Sequence, residues 1–233
     1  MADARSSDAI GHNVRAVLDN IRQAALRTGC NPESVRLIAA TKAVSPDLVR
    51  LAIEAGARTL GENRLQEALP KIEAVGDCQG IAWHFIGRLQ RRKVKSVVGR
   101  FQLIHSVDSL ELAEEINRRA AEAGLVQAVL MEVNIGEEAT KGGLAPAAVA
   151  GTVATMKTFP NLSVQGLMAV PPLFTDPEAA RPYFRRLREL ASSLPYEDMK
   201  ELSMGMSQDY AVAVEEGATM VRVGTAIFGA RRG

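Results

Sequence analysis

Eight short apolar runs, each leading into a helical stretch, constrain this chain more than any other feature of its sequence. The runs are Val35–Thr41, Arg58–Gly61, Ile81–Gly87, Phe101–Val107, Val126–Ile135, Leu162–Val170, Glu201–Gly205 and Thr219–Gly224. Helical patterns fill the gaps at Pro46–Ala55, Leu65–Val75, Arg91–Val98, Ser109–Ala123, Pro146–Phe159, Asp176–Leu194 and Gln208–Glu216, with a short one at Ala226–Phe228. Runs rich in Val, Ile and Leu that alternate with helices indicate a parallel sheet covered on both faces. Eight such units without a linker predict an α/β protein built as a closed (β/α)8 barrel of the TIM type. An open doubly wound sheet is the alternative. An extra helix opens the chain from about Ser7 to Thr28, with Ile10, Val14, Val17, Leu18, Ile21 and Ala25 on one face and Gly29 ending it. A single domain over residues 1–233 is expected, with this helix in 1–30 and the barrel in 35–230.

Composition excludes several classes of function. Hydrophobic residues make up 47% of the chain, so disorder is ruled out, and 28 Lys and Arg nearly balance 27 Asp and Glu. That balance argues against a nucleic-acid or membrane partner held by charge. Cys30 and Cys78 fit neither a disulfide framework nor a metal site. Met1 to Asn13 carries no apolar signal core, and no apolar run approaches membrane-spanning length. A cytoplasmic protein is expected.

A barrel of this kind presents its chemistry where strands end. The first run delivers Lys42 after Leu37-Ile38-Ala39-Ala40-Thr41. A lysine in that place either snorkels to the rim or is desolvated, which lowers its pKa and prepares the amine for Schiff-base formation. The last two units end in Gly205-Met206-Ser207 and Gly224-Thr225. The loops after strands seven and eight commonly make a phosphate site, and glycines, hydroxyls and helix N-termini are its parts. As an alternative, Ser207 and Thr225 are helix caps. Arg222 alternates with Val221 and Val223, so a buried guanidinium there needs an acceptor, either an internal carboxylate or a ligand. A lysine, a phosphate cup and a buried arginine together describe a phosphorylated aldehyde held as an imine.

A series of motifs then runs in order through the chain: Ala40-Thr41-Lys42, Gly61-Glu62-Asn63, Trp83-His84-Phe85-Ile86-Gly87, Val133-Asn134-Ile135 and Gly166-Leu167-Met168-Ala169-Val170. Leu202-Ser203-Met204-Gly205-Met206-Ser207 and Val221-Arg222-Val223-Gly224-Thr225-Ala226-Ile227-Phe228-Gly229 complete it. In these motifs the chain resembles the pyridoxal-phosphate homeostasis proteins, relatives of the N-terminal barrel of alanine racemase, over almost its whole length after the first helix. The resemblance implies pyridoxal 5′-phosphate as cofactor, with Lys42 carrying the internal aldimine. It further implies that Ser207, Gly224 and Thr225 hold the phosphate and that Arg222 faces the pyridine nitrogen. An always-cationic group there disfavours ring protonation and weakens the cofactor as an electron sink. Asn63 and His84 fall on matching motifs around the ring; Met168 either packs on the ring or belongs to the core. One departure is Arg92, which stands where the family pattern has an asparagine in Gly87-Arg88-Leu89-Gln90-Arg91-Arg92-Lys93. The basic cluster Arg88, Arg91, Arg92, Lys93 and Lys95 reads as a solvated face.

Racemisation needs two opposed acid/base groups, which alanine racemase completes from a separate domain. Here the eighth unit runs into Arg231-Arg232-Gly233, and Tyr183, Tyr196 and Tyr210 are the tyrosines present. The expectation is therefore a non-enzymatic, monomeric carrier that buffers the cofactor and passes it to apo-enzymes, with Lys141 a secondary acceptor or an ordinary loop lysine. An amino-acid racemase is the main alternative. A cofactor-free class I aldolase and an interaction module with a vestigial barrel are more distant ones.

Overall fold

The computed structural model describes residues 7–76 and 78–230; residues 1–6, Asp77 and 231–233 of the expected 1–233 domain lie outside the described residues. Eight strands, β1 (Arg36–Ala40), β2 (Thr59–Glu62), β3 (Ala82–Phe85), β4 (Leu103–Val107), β5 (Gln127–Val133), β6 (Leu162–Ala169), β7 (Glu201–Met206) and β8 (Met220–Val223), close into one barrel in chain order. All pairs are parallel, and β8 returns to β1 with Ile38 opposite Arg222. The closed barrel excludes the open doubly wound sheet. The helices are α1 (Ser7–Arg27), α2 (Pro46–Glu54), α3 (Leu65–Val75), α4 (Leu110–Glu122), α5 (Pro146–Met156), α6 (Arg181–Ser192), α7 (Tyr210–Glu215) and α8 (Thr225–Phe228).

Two expected helices differ. Arg91–Val98 is a 3-10 helix over Arg91–Ser96. Arg91 and Lys95 are like charges one turn apart with no acidic partner in the segment, which disfavours an α-helix there. Asp176–Leu194 divides into a 3-10 turn at Pro177–Ala180 and α6, because Pro182 cannot donate into a preceding turn.

Strand alternation separates two cores. Leu37, Ala39, Val129, Met131, Leu167, Val221 and Val223 pack outward against the helices, whereas Ile38, Leu103, Leu130, Met168 and Met220 fill the barrel interior. By the same alternation His84, His105, Glu132, Ser203 and Arg222 point inward.

Helices α7 and α8, with six and four residues, are too short to cover their strands. Helix α1 completes the outer layer there with the buried residues Ile10, Val14, Val17, Ile21, Ala24 and Ala25. Asn13 Nδ2 donates to the Ile227 carbonyl at 2.9 Å, and Asn20 Nδ2 to the Tyr210 hydroxyl at 3.1 Å. The opening helix thus braces both short helices that follow β7 and β8. No helix among the described residues is long and apolar enough to cross a membrane.

Candidate functional site

A cavity of about 580 Å³ opens at the C-terminal ends of the strands. Lys42, Asn63, Ser207, Arg222, Gly224 and Thr225 all line it, and Val170, Pro172, Leu173 and Phe174 form an apolar wall. Six of the eight residues expected to hold the cofactor therefore share one cavity. His84 and Met168 do not line it; they are 3% and 2% exposed inside the barrel beneath. Met168 belongs to the interior apolar cluster.

Lys42 is exposed, in keeping with the rim position and not with the desolvated one. Strand β1 ends at Ala40 and Thr41 is fully buried, which carries Lys42 out to the cavity mouth. Its backbone is held firmly. Ala43 adopts φ +57°, a left-handed conformation a non-glycine residue rarely takes, and its N–H donates to Glu67 Oε2 at 2.9 Å. Beneath lies a buried ion pair that sequence reasoning missed. Lys71 Nζ donates to Glu62 Oε1 and to the Thr41 carbonyl, each at 2.5 Å, and Thr41 Oγ1 donates to the same carboxylate oxygen at 2.5 Å. The peptide immediately before Lys42 is thereby fixed from inside.

Ser207 Oγ accepts the backbone N–H of Gly224 at 3.1 Å and of Ala226 at 3.3 Å. Ser207 does not cap the helix that follows it, whose N-cap is Asp209, and Thr225 is the first residue of α8 and not its N-cap; Ser207 instead bonds the start of α8 from the neighbouring loop. Two N–H groups at the start of α8 converge on one oxygen, an arrangement that an anionic oxygen would also satisfy. Gly205 serves the fold instead of the cavity: at φ +89° its Cβ would lie 2.5 Å from that of Ala213, where α7 packs on β7. Asp209, a further lining residue missed in the sequence, accepts the Met206 N–H at 2.6 Å, and burial pushes its carboxyl up.

Arg222 is 6% exposed; its hydrogen bonds among the described residues go to neutral groups, and the carboxylates of Glu132 and Asp209 act on it through space. Its guanidinium donates to the Ser203 carbonyl at 2.8 Å, the Ser203 hydroxyl at 2.5 Å and the Ala169 carbonyl at 2.9 Å. Ser203 Oγ lies 2.9 Å from His105 Nδ1, and His105 Nε2 lies 3.0 Å from His84 Nδ1. Burial pushes Arg222 down to about 10, so it stays cationic at neutral pH.

Burial, then the charge of Arg36, lowers His84 from the ordinary 6.5 to about 3. Burial also holds His105 well below 6.5, with His84, Arg222 and Arg36 adding to it. Both imidazoles are neutral in the fold. Below pH 6.5 the unfolded chain binds more protons at these sites than the folded one, so stability falls as pH drops from 6.5 towards 3. The expected slope is up to about 1.4 kcal/mol per pH unit for each histidine. Urea unfolding at pH 7 and pH 5 checks this, because His105→Gln should show a shallower pH dependence than wild type.

Lys141 Nζ pairs with Glu138 at 2.6 Å and donates to the Pro171 carbonyl at 3.0 Å, which ties the β5–α5 loop to the cavity's apolar wall. Of the basic cluster, Arg88, Arg91, Arg92 and Lys95 are exposed, in keeping with a solvated face, whereas Lys93 is half-buried and reaches Gln66 Oε1 at 3.4 Å. No group of His, Cys, Asp and Glu among the described residues is arranged to hold a metal ion.

Comparison with known proteins decides the family. The model of the alanine racemase N-terminal domain matches residues 7–232. A pyridoxal phosphate homeostasis protein of Aquifex aeolicus is 47% identical over 93% of this chain and 96% of its own length. The chain belongs to the pyridoxal phosphate homeostasis protein family. PipY of Synechococcus elongatus, solved with PLP bound, superposes with a TM-score of 0.79 at 37% identity, covering 90% of this chain and 99% of PipY. Alanine racemase of Corynebacterium glutamicum shares the fold alone, with a TM-score of 0.71 at 18% identity over 97% of this chain and 62% of the racemase.

Proposed function

We propose that this chain binds pyridoxal 5′-phosphate in the cavity at the barrel mouth and serves intracellular vitamin B6 homeostasis by buffering the cofactor and delivering it to apo-enzymes. The observation that carries this reading is the meeting in one cavity of an exposed lysine amine, a buried guanidinium and an anion-ready corner. The residues present fit the group. Asn63 Oδ1 is buried without a hydrogen-bond partner among the described residues and lies at the cavity, available to a ligand hydroxyl. Bound pyridoxal phosphate supplies an aldehyde that an amine captures reversibly and a ring whose visible absorption reports its surroundings.

Lys42 is the proposed covalent anchor. Ser207, Gly224 and Thr225 would hold the phosphate, Arg222 would face the ring nitrogen, and Asn63 the ring's polar edge. His84 and Met168 would act from beneath the cavity floor. Against a racemase that uses a tyrosine as the second acid/base group opposite the lysine, a carrier role is supported by the occupations of the three tyrosines. The Tyr210 hydroxyl accepts from Asn20, Tyr196 packs under Lys157, and Tyr183 packs against Phe174. None of the three lines the cavity. The proposed setting is cytoplasmic.

Titration of the purified protein with pyridoxal phosphate and with unphosphorylated pyridoxal tests this reading. Pyridoxal phosphate is expected to develop a visible band, with pyridoxal binding at least about tenfold more weakly because charge-assisted hydrogen bonds at the phosphate corner are lost. Ser207→Ala should weaken pyridoxal phosphate by about tenfold and leave pyridoxal unaffected. Equal affinity for the two aldehydes would contradict the phosphate corner.

A further inference from the structure

The polar groups inside the barrel form an unbroken track behind the cavity wall. It starts at the Arg222 guanidinium on β8, passes through Ser203 on β7 and His105 on β4, and reaches His84 on β3. Ser203 and His105 are fully buried, and His84 and Arg222 nearly so. Ser203, His105 and His84 do not themselves line the cavity, and binding of a ligand by direct contact gives no reason for them.

We propose that Arg222, Ser203, His105 and His84 form a one-way hydrogen-bond chain in which Ser203 is a positioning residue that fixes the guanidinium against the cavity. The direction follows from donor counting. A guanidinium only donates, so its contact with Ser203 Oγ uses that oxygen as the acceptor. Ser203 then has one proton to give, and among the described residues His105 is its remaining side-chain partner. His105 Nδ1 must therefore be bare, which puts the ring proton on Nε2, facing His84 Nδ1. His84 accepts there and carries its own proton on Nε2 as well.

In the opposite direction, His105 Nδ1–H and the guanidinium would both donate into one oxygen. The serine proton would then have no partner in a site closed to water, which is the costly outcome for a buried donor. A cation at one end also polarises each hydroxyl and ring N–H to point away from it. The chain thus orients the lone pairs of neutral groups towards Arg222 and holds its plane without neutralising its charge. That combination suits a guanidinium aimed at a ring nitrogen, with Glu132 and Asp209 the carboxylates acting on it through space.

Histidine-selective nitrogen NMR on the whole chain tests the direction without any ligand. The sequence has three histidines, and His12 lies exposed on α1 as an internal reference. His84 and His105 should each show a protonated Nε2 and a bare Nδ1, assigned by loss of signal in His12→Gln and His105→Gln. A protonated Nδ1 on His105 would overturn the chain as drawn.

The positioning role rests on the pyridoxal phosphate reading and is tested separately with Ser203→Ala and Ser203→Thr. In folded Ser203→Ala, His105 should become a mixture of tautomers, pyridoxal phosphate affinity should fall about tenfold, and the visible band should move. Ser203→Thr should restore the band position. A folded Ser203→Ala with unchanged band and affinity would refute the positioning role. If wild type takes up no pyridoxal phosphate at all, the functional reading fails, while the tautomer measurement still decides the chain.

Discussion

Lys42→Ala protein should retain no pyridoxyl group after borohydride reduction, whereas wild type should be labelled close to one per chain. The expected loss is complete because covalent capture needs a primary amine, and among the cavity-lining residues Lys42 alone carries one. Stability should hardly change. Lys42 is exposed at a loop, and substitutions at such positions usually stay within about 0.5 kcal/mol. The phosphate corner is intact in this variant, so pyridoxal phosphate should still bind weakly and reversibly. Mass spectrometry of reduced protein, with a thermal scan alongside, separates loss of the anchor from loss of the fold. A Lys42→Ala variant that still fixed the cofactor after reduction would move the anchor elsewhere, with Lys141 the first residue to examine beside the apolar wall.

Lys71→Met should destabilise the fold severely. It leaves Glu62, which is fully buried, without its countercharge, and removes a donor from the Thr41 carbonyl. Breaking one side of a buried pair costs about 3–5 kcal/mol. At about 2–4 °C per kcal/mol for a domain of this size, the melting temperature should fall by roughly 6–20 °C. Thr41 precedes Lys42, so cofactor retention should drop with stability. Adding Glu62→Gln removes the stranded charge and should recover most of the loss, because well-filled neutral replacements of buried pairs are often nearly as stable as the pair. Thermal unfolding followed by circular dichroism checks both variants. A fall equivalent to less than about 1 kcal/mol for Lys71→Met would show the pair to be unimportant.

The barrel was legible because parallel strands covered on both faces must be apolar along their length, and that leaves runs such as Leu162–Val170 plain in the sequence. Helix type was less legible where local charge and proline compete with apolar spacing, as at Arg91–Ser96 and Pro182. Lys42, Ser207, Gly224 and Thr225 were found because they follow strands directly, and position along the chain is enough to bring strand ends together. The exposure of Lys42 was not, since it depends on where β1 stops. Glu62 with Lys71 and Ser203 with His105 are partners 9 and 98 residues apart, and no local pattern reports such pairs. A signal did exist for Ser203 and His105. Ser203 is a polar residue at an inward position between the outward-packing Leu202 and Met204, and His105 follows the outward-packing Ile104 inside an otherwise apolar run. A buried strand tolerates such residues when they satisfy one another, so inward polar positions on different strands could have been matched.

The visible spectrum of purified wild type with added pyridoxal phosphate, taken before and after borohydride and followed by peptide mapping, tests the central claim most directly. The account predicts a yellow band that bleaches on reduction and a single pyridoxyl group on the peptide containing Lys42. A protein that stays colourless, or one labelled at another lysine with Lys42 unmodified, would contradict it.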